Sequence, residues 1–146
     1  WFDEFTVGQV FKHEIRKTVL DYENSLFSSL TYNPAQIHID HVYCSKTEFG
    51  KPLMNSIFTL GLVIGLSVQE TTLGTTVANL GMTDTTFRKP VFSGDTIRSE
   101  TKVLELRESK SRPGQGIVTF EHIGLNQRDE IVCRTVRNAL MMKKPA

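Results

Sequence analysis

The stretch SIFTLGLVIGLSV, residues Ser56–Val68, decides the fold, because it carries apolar side chains on nearly every side of a helix. It is shorter than the roughly 20 residues that a bilayer requires, and it includes Ser, Thr and two Gly residues. We therefore predict a buried helix over about Asn55–Gln69, with other elements packed around it. Gly61 and Gly65 remove side chains from one stripe of this helix, so that a sheet or another helix can approach closely.

The segment before this helix predicts one strand and one short helix. Loose alternation of apolar and charged residues over GQVFKHEIRKTV, residues 8–19, favours the strand. Asp21 then suits the N-cap of a helix over residues 22–30. The side chains of this short helix that we expect to face inward are Leu26, Phe27 and Leu30.

The segment after the buried helix predicts four strands, because β-branched residues and alternation replace the helical pattern. Gly81 interrupts the first of these strands and suggests a bulge. Ser93 and Gly94 mark a turn, and NQRDE, residues 126–130, is a loop of hairpin length between the last two strands. The four strands are expected within residues 75–87, 90–110, 116–126 and 130–142.

Together these elements predict an α+β fold in a single domain, residues 1–146, in which a curved antiparallel sheet wraps around one long buried helix. This is the simplest arrangement that buries a helix with almost no polar face. The far edge and outer face of one small sheet commonly need another subunit. We therefore expect a homodimer or a higher homo-oligomer.

Composition and charge narrow the classes of partner. Seventeen basic and sixteen acidic residues leave a net charge of +1, which does not favour nucleic-acid binding, and we expect no nucleic acid and no membrane as partner. Only Cys44 and Cys133 are present, which favours a reduced, cytoplasmic setting over a disulfide framework. The two cysteines and four scattered histidines show no zinc-site spacing, so we expect no metal.

A second stretch, TYNPAQIHID at residues 31–40, holds the candidate catalytic side chains. Pro34 disfavours a helical conformation at Asn33, so the stretch is a loop at least in part. His38 can take or give a proton near neutral pH. The amide of Asn33 cannot act as a base, but it can hold a water or a carbonyl group through its donor and acceptor.

These stretches resemble one known family. TYNPAQIHID, followed by EFGKPLMNSIFTLGLV, FRKPVFSGDTI and NQRDEIVCRTVRNALM, is similar to the MaoC-like hydratases of the hotdog fold, which include the (R)-specific enoyl-CoA hydratases. The resemblance extends from Phe5 to Lys143. The variants NPAQIHID, PLMNS and RESKSRPGQGIVTFEH look most like the branch that contains mesaconyl-CoA hydratase, also called β-methylmalyl-CoA dehydratase.

The family motif reads Asp-x-Asn-Pro-(Leu/Ile)-His, with Asp and His acting together on a water. If its Asn-Pro pair is matched to Asn33 and Pro34, the aspartate position falls on Thr31. If its histidine is matched to His38 without a gap, the aspartate position falls on Asn33. Neither alternative supplies a carboxylate. His38 matches the family in sequence and is followed, as in the family, by Asp40 two residues later.

The resemblance implies a role for each matched residue. His38 is the acid/base group, and Asn33 holds the attacking water or the thioester. In the family a backbone N–H at the start of the buried helix binds the thioester oxygen, and the matching pair is Asn55 and Ser56, with the Ser56 N–H as donor. Further candidates are Thr31 and Asp40 near the substrate, and Arg107, Lys110 and Arg112 for the phosphates of coenzyme A.

The implied function is that of an acyl-CoA hydratase or dehydratase, which acts on a short enoyl-CoA thioester with a linear, branched or carboxylated acyl chain. The resemblance implies that no cofactor is needed, because coenzyme A is part of the substrate. Two alternatives stay open. A hotdog thioesterase would need a carboxylate or an activated water at the thioester carbonyl, and the predicted buried helix shows no obvious acidic residue for this. A non-catalytic acyl-CoA-binding subunit is the reading that the missing aspartate favours.

Overall fold

Five strands form one antiparallel sheet, and a long helix lies against one of its faces. The computed structural model describes residues 1–145. After a 3₁₀ turn at Phe2–Glu4, its elements are β1 (Val10–Thr18), α1 (Asp21–Leu30), α2 (Gln36–Ile39), α3 (His41–Cys44), α4 (Ser56–Thr71), β2 (Thr76–Thr86), β3 (Thr96–Glu108), β4 (Gln115–Leu125) and β5 (Ile131–Met142). The predicted α+β class is confirmed, and every predicted strand is present.

The strand order in the sheet is β1-β3-β4-β5-β2. The strands β3, β4 and β5 follow one another as hairpins, whereas β2 crosses over to the far edge beside β5. The predicted bulge in β2 is confirmed, because the register with β5 shifts between Asn79 and Gly81, and Gly81 has a φ of 144°. A side chain would be strained in that conformation.

One core cluster joins α4 to the first residues of β3 and β5 and to the segments that precede α4 and β3. Its fully or almost fully buried members include Met54, Val63 and Ile97. The helix and the sheet approach closely at Gly124 in β4, where a Cβ atom would collide with the side chain of Val63. This glycine therefore belongs to the core contact between sheet and helix.

The sequence predicted that a sheet or another helix approaches α4 closely at Gly61 and Gly65. Among the described residues of this single chain, no element does so. Gly61 and Gly65 are exposed, and a Cβ atom on either would meet nothing within 4 Å. Ile57, one turn earlier, is 57% exposed. The expectation that other elements surround α4 on all sides is thus wrong for the single chain, because the sheet covers one face of the helix and leaves this stripe open.

The inner face of α1 also differs from the prediction. Leu26 and Leu30 point outward and are 54% and 72% exposed, whereas Asn24 and Ser28 are buried. Of the three predicted apolar residues only Phe27 packs inward, edge-on against Phe58 with ring centroids 5.7 Å apart. The reason is that this face of α1 lies against backbone carbonyl groups of the neighbouring loops, which require polar partners.

Candidate active site at the start of the central helix

The N-terminus of α4 presents a backbone donor to a cavity. The Asn55 side chain caps the helix by accepting from the Ile57 N–H at 3.0 Å. The Ser56 N–H, the first of the helix, makes no hydrogen bond with any described residue, and Ser56 lines a cavity of about 240 Å³. Because helix N-termini carry positive partial charge, this N–H suits an oxygen atom that gains negative charge.

His38 is held by a backbone carbonyl group. Its Nδ1 lies 2.7 Å from the carbonyl oxygen of Leu53, a residue that lines the same cavity as Ser56. A carbonyl oxygen only accepts hydrogen bonds, so Nδ1 carries the proton and Nε2 is the basic nitrogen of the neutral ring. Leu53 could not be identified as a site residue from the sequence, because it contacts His38 through its backbone carbonyl, which every residue type has.

The two candidates for the aspartate position lie together in a second cavity of about 180 Å³, which Asn55 and Ile57 also line. The Asn33 Oδ1 accepts from the Ala35 N–H at 3.0 Å, and the Thr31 hydroxyl donates to the carbonyl of Phe27 at 2.8 Å. Both side chains therefore bond to the local backbone, and neither makes a hydrogen bond with the histidine ring.

No carboxylate among residues 1–145 compensates for the missing aspartate, because His38 forms neither a hydrogen bond nor an ion pair with any acidic side chain in that range. Asp40, the nearest acidic residue in sequence, caps α3 by accepting from the Tyr43 N–H at 2.8 Å. The Leu53 carbonyl thus occupies the position beside the ring nitrogen that a carboxylate could have taken.

The structure separates the basic residues predicted for the coenzyme A phosphates from this site. Ile97, at the start of β3, packs in the same core cluster as Met54, whereas Arg107 lies ten residues further along the strand, roughly 30 Å away. Lys110 and Arg112 follow in the loop beyond the strand. Within one chain these three side chains therefore do not adjoin His38 or Ser56.

Two other basic residues do line the cavity beside Ser56, namely Arg88 and Lys89 in the segment between β2 and β3. Both belong to the stretch FRKPVFSGDTI, from which no role was predicted for them. A usable signal was present, because a basic pair directly before Pro90 sits in a stretch that matches the family. What the sequence did not show is that this segment folds over the start of α4.

Cys44 is a packing residue. Its thiol is fully buried and donates to the carbonyls of Gln36 and Ile37 at 3.4 and 3.3 Å. Burial, together with the charge of Asp40, raises the pKa of the Cys44 thiol, which disfavours a nucleophilic thiolate. In residues 1–145 no three His, Cys, Asp or Glu side chains cluster as metal ligands would, and no helix is long and apolar enough to cross a membrane.

Comparison with known proteins identifies the family of this chain. A family model described as a MaoC like domain matches residues 4–126. The chain belongs to this family. It is 32% identical over 150 residues to mesaconyl-CoA hydratase of Cereibacter sphaeroides, a match that covers 99% of this chain and 41% of the relative. It is 26% identical to β-methylmalyl-CoA dehydratase of Chloroflexus aurantiacus, with 99% and 40% of the two chains covered.

Solved structures confirm the fold of this MaoC-like domain. The MaoC-like dehydratase of Rhodospirillum rubrum aligns with a TM-score of 0.85 and 26% identity over 99% of this chain and 97% of that one. A Mycobacterium tuberculosis protein with a double hotdog fold aligns with a TM-score of 0.88 and 25% identity over 99% and 44%. The hotdog fold is thus confirmed, and the chain spans about two fifths of the length of the curated relatives named above.

Proposed function

We propose that this MaoC-like domain acts as a hydratase or dehydratase of coenzyme A thioesters, adding water to a short enoyl-CoA or removing it. The observation that carries the proposal is the bond from His38 Nδ1 to the Leu53 carbonyl, together with a Ser56 N–H that makes no hydrogen bond within residues 1–145. The bond joins the His38 ring to Leu53, and Leu53 and Ser56 line the same cavity. The hydratases and dehydratases among the relatives support the thioester substrate class.

Each step of hydration has a group that can perform it. The water oxygen forms a bond to Cβ while His38 Nε2 takes the water proton, and the electrons of the double bond move toward the thioester oxygen. The Ser56 N–H donates to that oxygen as its negative charge grows. The protonated His38 then returns the proton to Cα, which restores the neutral ring and completes the addition. Dehydration follows the same steps in reverse.

In this scheme Asn33 holds the attacking water, and His38 alone moves protons. Asn33 Oδ1 already accepts from the Ala35 N–H, so its NH₂ group is the part that can bind a water oxygen. Asn33 also lines a cavity with Thr31 and Asn55 at the start of α4, which supports its place near the substrate. Thr31 is the weaker candidate, because its hydroxyl hydrogen points to the carbonyl of Phe27.

We propose Arg88 and Lys89 as contacts for coenzyme A phosphates, since both line the cavity beside Ser56. Arg107, Lys110 and Arg112 stay candidates only for a site on another subunit or on another part of the same assembly. The proposed reaction requires no cofactor beyond the coenzyme A of the substrate. A cytoplasmic setting is part of the proposal and is supported by two buried cysteines that form no disulfide.

We propose further that a second copy of the chain covers the open stripe of α4 and the edge strand β2. The exposed side chains of β2 include Leu80, which is 51% exposed, and Met82, which is 40% exposed. A strand with one unpaired edge and exposed apolar side chains forms a surface that proteins normally cover. The double hotdog fold of one structural relative supports a pair of hotdog units as the assembly.

The two alternative functions have unequal support. A thioesterase is disfavoured because the single acidic residue of α4, Glu70, lies near its C-terminal end and binds His13. A non-catalytic acyl-CoA-binding unit is favoured by one observation, namely the lack of a carboxylate bonded to His38 within residues 1–145. The experiment on the proposed function therefore has to separate hydration from hydrolysis and from binding alone.

The test mixes the purified protein with crotonyl-CoA or mesaconyl-CoA and follows the enoyl thioester absorbance and free thiol in parallel. Hydration lowers the absorbance without releasing thiol, and His38→Asn should slow it by roughly 10²–10⁴-fold. Asparagine retains a donor for the Leu53 carbonyl but lacks the basic nitrogen. His41→Asn is the matched control, because His41 is 65% exposed and pairs with Asp21. Thiol release, or equal rates for both variants, would contradict the proposal.

A further inference from the structure

Asn24 is a fully buried polar residue on the inner face of α1, and its side chain bonds only to backbone groups of other segments. We propose that Asn24 is the positioning residue that holds the base His38 and the oxyanion donor Ser56 in fixed relation to each other. The inference rests on the proposed hydratase function. It assigns a role to a residue that touches neither substrate nor reacting atoms.

On the side of the base, Asn24 Nδ2 donates two hydrogen bonds. One goes to the backbone carbonyl of His38 at 2.8 Å, and the other goes to the carbonyl of Leu53 at 3.0 Å. The same Leu53 carbonyl accepts from His38 Nδ1 at 2.7 Å, so it accepts two hydrogen bonds in all. Asn24 therefore holds both the backbone of the histidine and the acceptor that orients its ring.

On the side of the oxyanion donor, Asn24 Oδ1 accepts from the Asn55 N–H at 2.8 Å. Asn55 is the N-cap of α4, and the next N–H along the chain is that of Ser56. One carboxamide thus joins the loop of the base to the first turn of the helix. The three bonded groups are separated from Asn24 by 14, 29 and 31 residues in sequence, so no local contact could replace it.

The chemistry of the position requires a carboxamide. Two of the bonded groups are acceptors and one is a donor, so the side chain at position 24 must supply two N–H bonds and one acceptor oxygen. Aspartate has the same shape but would direct a carboxylate oxygen at the carbonyls of His38 and Leu53. The importance of this contact increases because no carboxylate within residues 1–145 orients the histidine.

Asn24→Asp is expected to lower kcat for enoyl-CoA hydration by roughly 10²-fold while KM changes less than threefold, because a misplacement of about 1 Å costs that much in rate. Ser28→Ala is the matched control. Ser28 lies one turn further along the same face of α1, is 1% exposed, and its hydroxyl makes no hydrogen bond within residues 1–145. This control should keep kcat within threefold of the unmodified protein.

A second measurement reports on the orientation of the His38 ring independently of turnover. Protein labelled with ¹⁵N-histidine should show His38 as the Nδ1–H tautomer in the unmodified chain and in Ser28→Ala. Asn24→Asp, and the smaller Asn24→Ser, should shift the His38 ring toward the Nε2–H tautomer, because the Leu53 carbonyl loses its fixed orientation. A residue that merely stabilised the fold would change the unfolding midpoint and leave this tautomer unchanged.

Three results would overturn the inference. They are an Asn24→Asp rate within threefold of the control, a His38 tautomer unchanged in both Asn24 variants, and loss of the folded state in both variants, which would make Asn24 a residue of fold stability. If the unmodified protein hydrates neither crotonyl-CoA nor mesaconyl-CoA, the proposed function fails. The tautomer comparison still decides whether Asn24 positions His38, so the two failures are distinguishable.

Discussion

Replacing Ser56 by proline should remove the backbone N–H that the proposed mechanism needs and leave the fold intact. Proline has no N–H, and the Ser56 N–H is the proposed donor to the thioester oxygen. Ser56 is the first residue of α4, where proline is favoured because its N–H is not needed by the helix. Asn55 has φ −58° and ψ 127°, which lies outside the helical region that a following proline disfavours.

The expected magnitude follows from these contacts. The Ser56 N–H makes no hydrogen bond within the described residues, so its removal breaks no bond of the folded chain, and the Asn55 cap to the Ile57 N–H stays in place. Stability should therefore change by less than about 1 kcal/mol. Removal of one oxyanion donor costs about 10²–10³-fold in kcat, which corresponds to about 2.7–4 kcal/mol of transition-state stabilisation.

The assay is initial-rate hydration of crotonyl-CoA, followed by the enoyl thioester absorbance, with urea unfolding of each variant. Ser56→Ala and Ser56→Val are the controls, because both keep the N–H, and valine, like proline, has three side-chain carbon atoms. The two controls should lose far less activity than Ser56→Pro. If Ser56→Pro folds normally and keeps its rate within a few-fold of Ser56→Val, the Ser56 N–H is not the oxyanion donor.

Three further predictions concern packing, pH and assembly. Gly124→Ala should destabilise the protein by about 1–3 kcal/mol in urea unfolding, because the new methyl group collides with the buried Val63. Burial, followed by the charge of Arg137, lowers the pKa of His122 to about 3, whereas an unfolded histidine has a pKa near 6.5. The unfolded chain therefore binds more protons below pH 6.5, and stability should fall as the pH decreases. The slope from this residue is about 0.7 kcal/mol per pH unit at pH 6.5 and approaches about 1.4 kcal/mol per pH unit near pH 5. Urea unfolding at several pH values between 6.5 and 5 measures that slope. Gly61→Leu should convert an assembled protein into monomers in sedimentation velocity, because its side chain would occupy the open stripe of α4.

Each of these predictions has its own control. Gly65 and Gly61 have no neighbours for a Cβ atom, so Gly65→Ala should not destabilise a single chain, and an equal cost for Gly124→Ala and Gly65→Ala in a monomer would contradict the packing argument. His122→Asn should flatten the pH slope, and an unchanged slope would show that His122 does not titrate between the two states. An unmodified protein that sediments as a monomer would refute the assembly.

The amino-acid sequence by itself indicated which segments form the five strands and the helices α1 and α4, and which family they resemble; it did not predict α2 and α3. The continuous apolar run of α4 predicted a long helix. Alternation with turn residues predicted β2, β4 and β5 within one residue of their observed bounds, whereas β3 begins six residues after the start of its predicted segment. Both signals are local, since the hydrophobic period is written in consecutive residues. The position of His38 in the motif and the N-cap at Asn55 are local features of the same kind.

Only the tertiary structure decided which groups meet. In the folded chain β2 lies at the far edge of the sheet beside β5, and Gly61 is exposed. Arg107 lies near the end of β3, away from Ser56, and the polar face of α1 is buried. The tertiary structure also gave His38 a backbone carbonyl as its partner. Carbonyl and N–H groups are the same in every residue, so the sequence holds no sign of which side chain they will bind. That depends on how distant segments pack, and here it depends on the three hydrogen bonds of one buried asparagine.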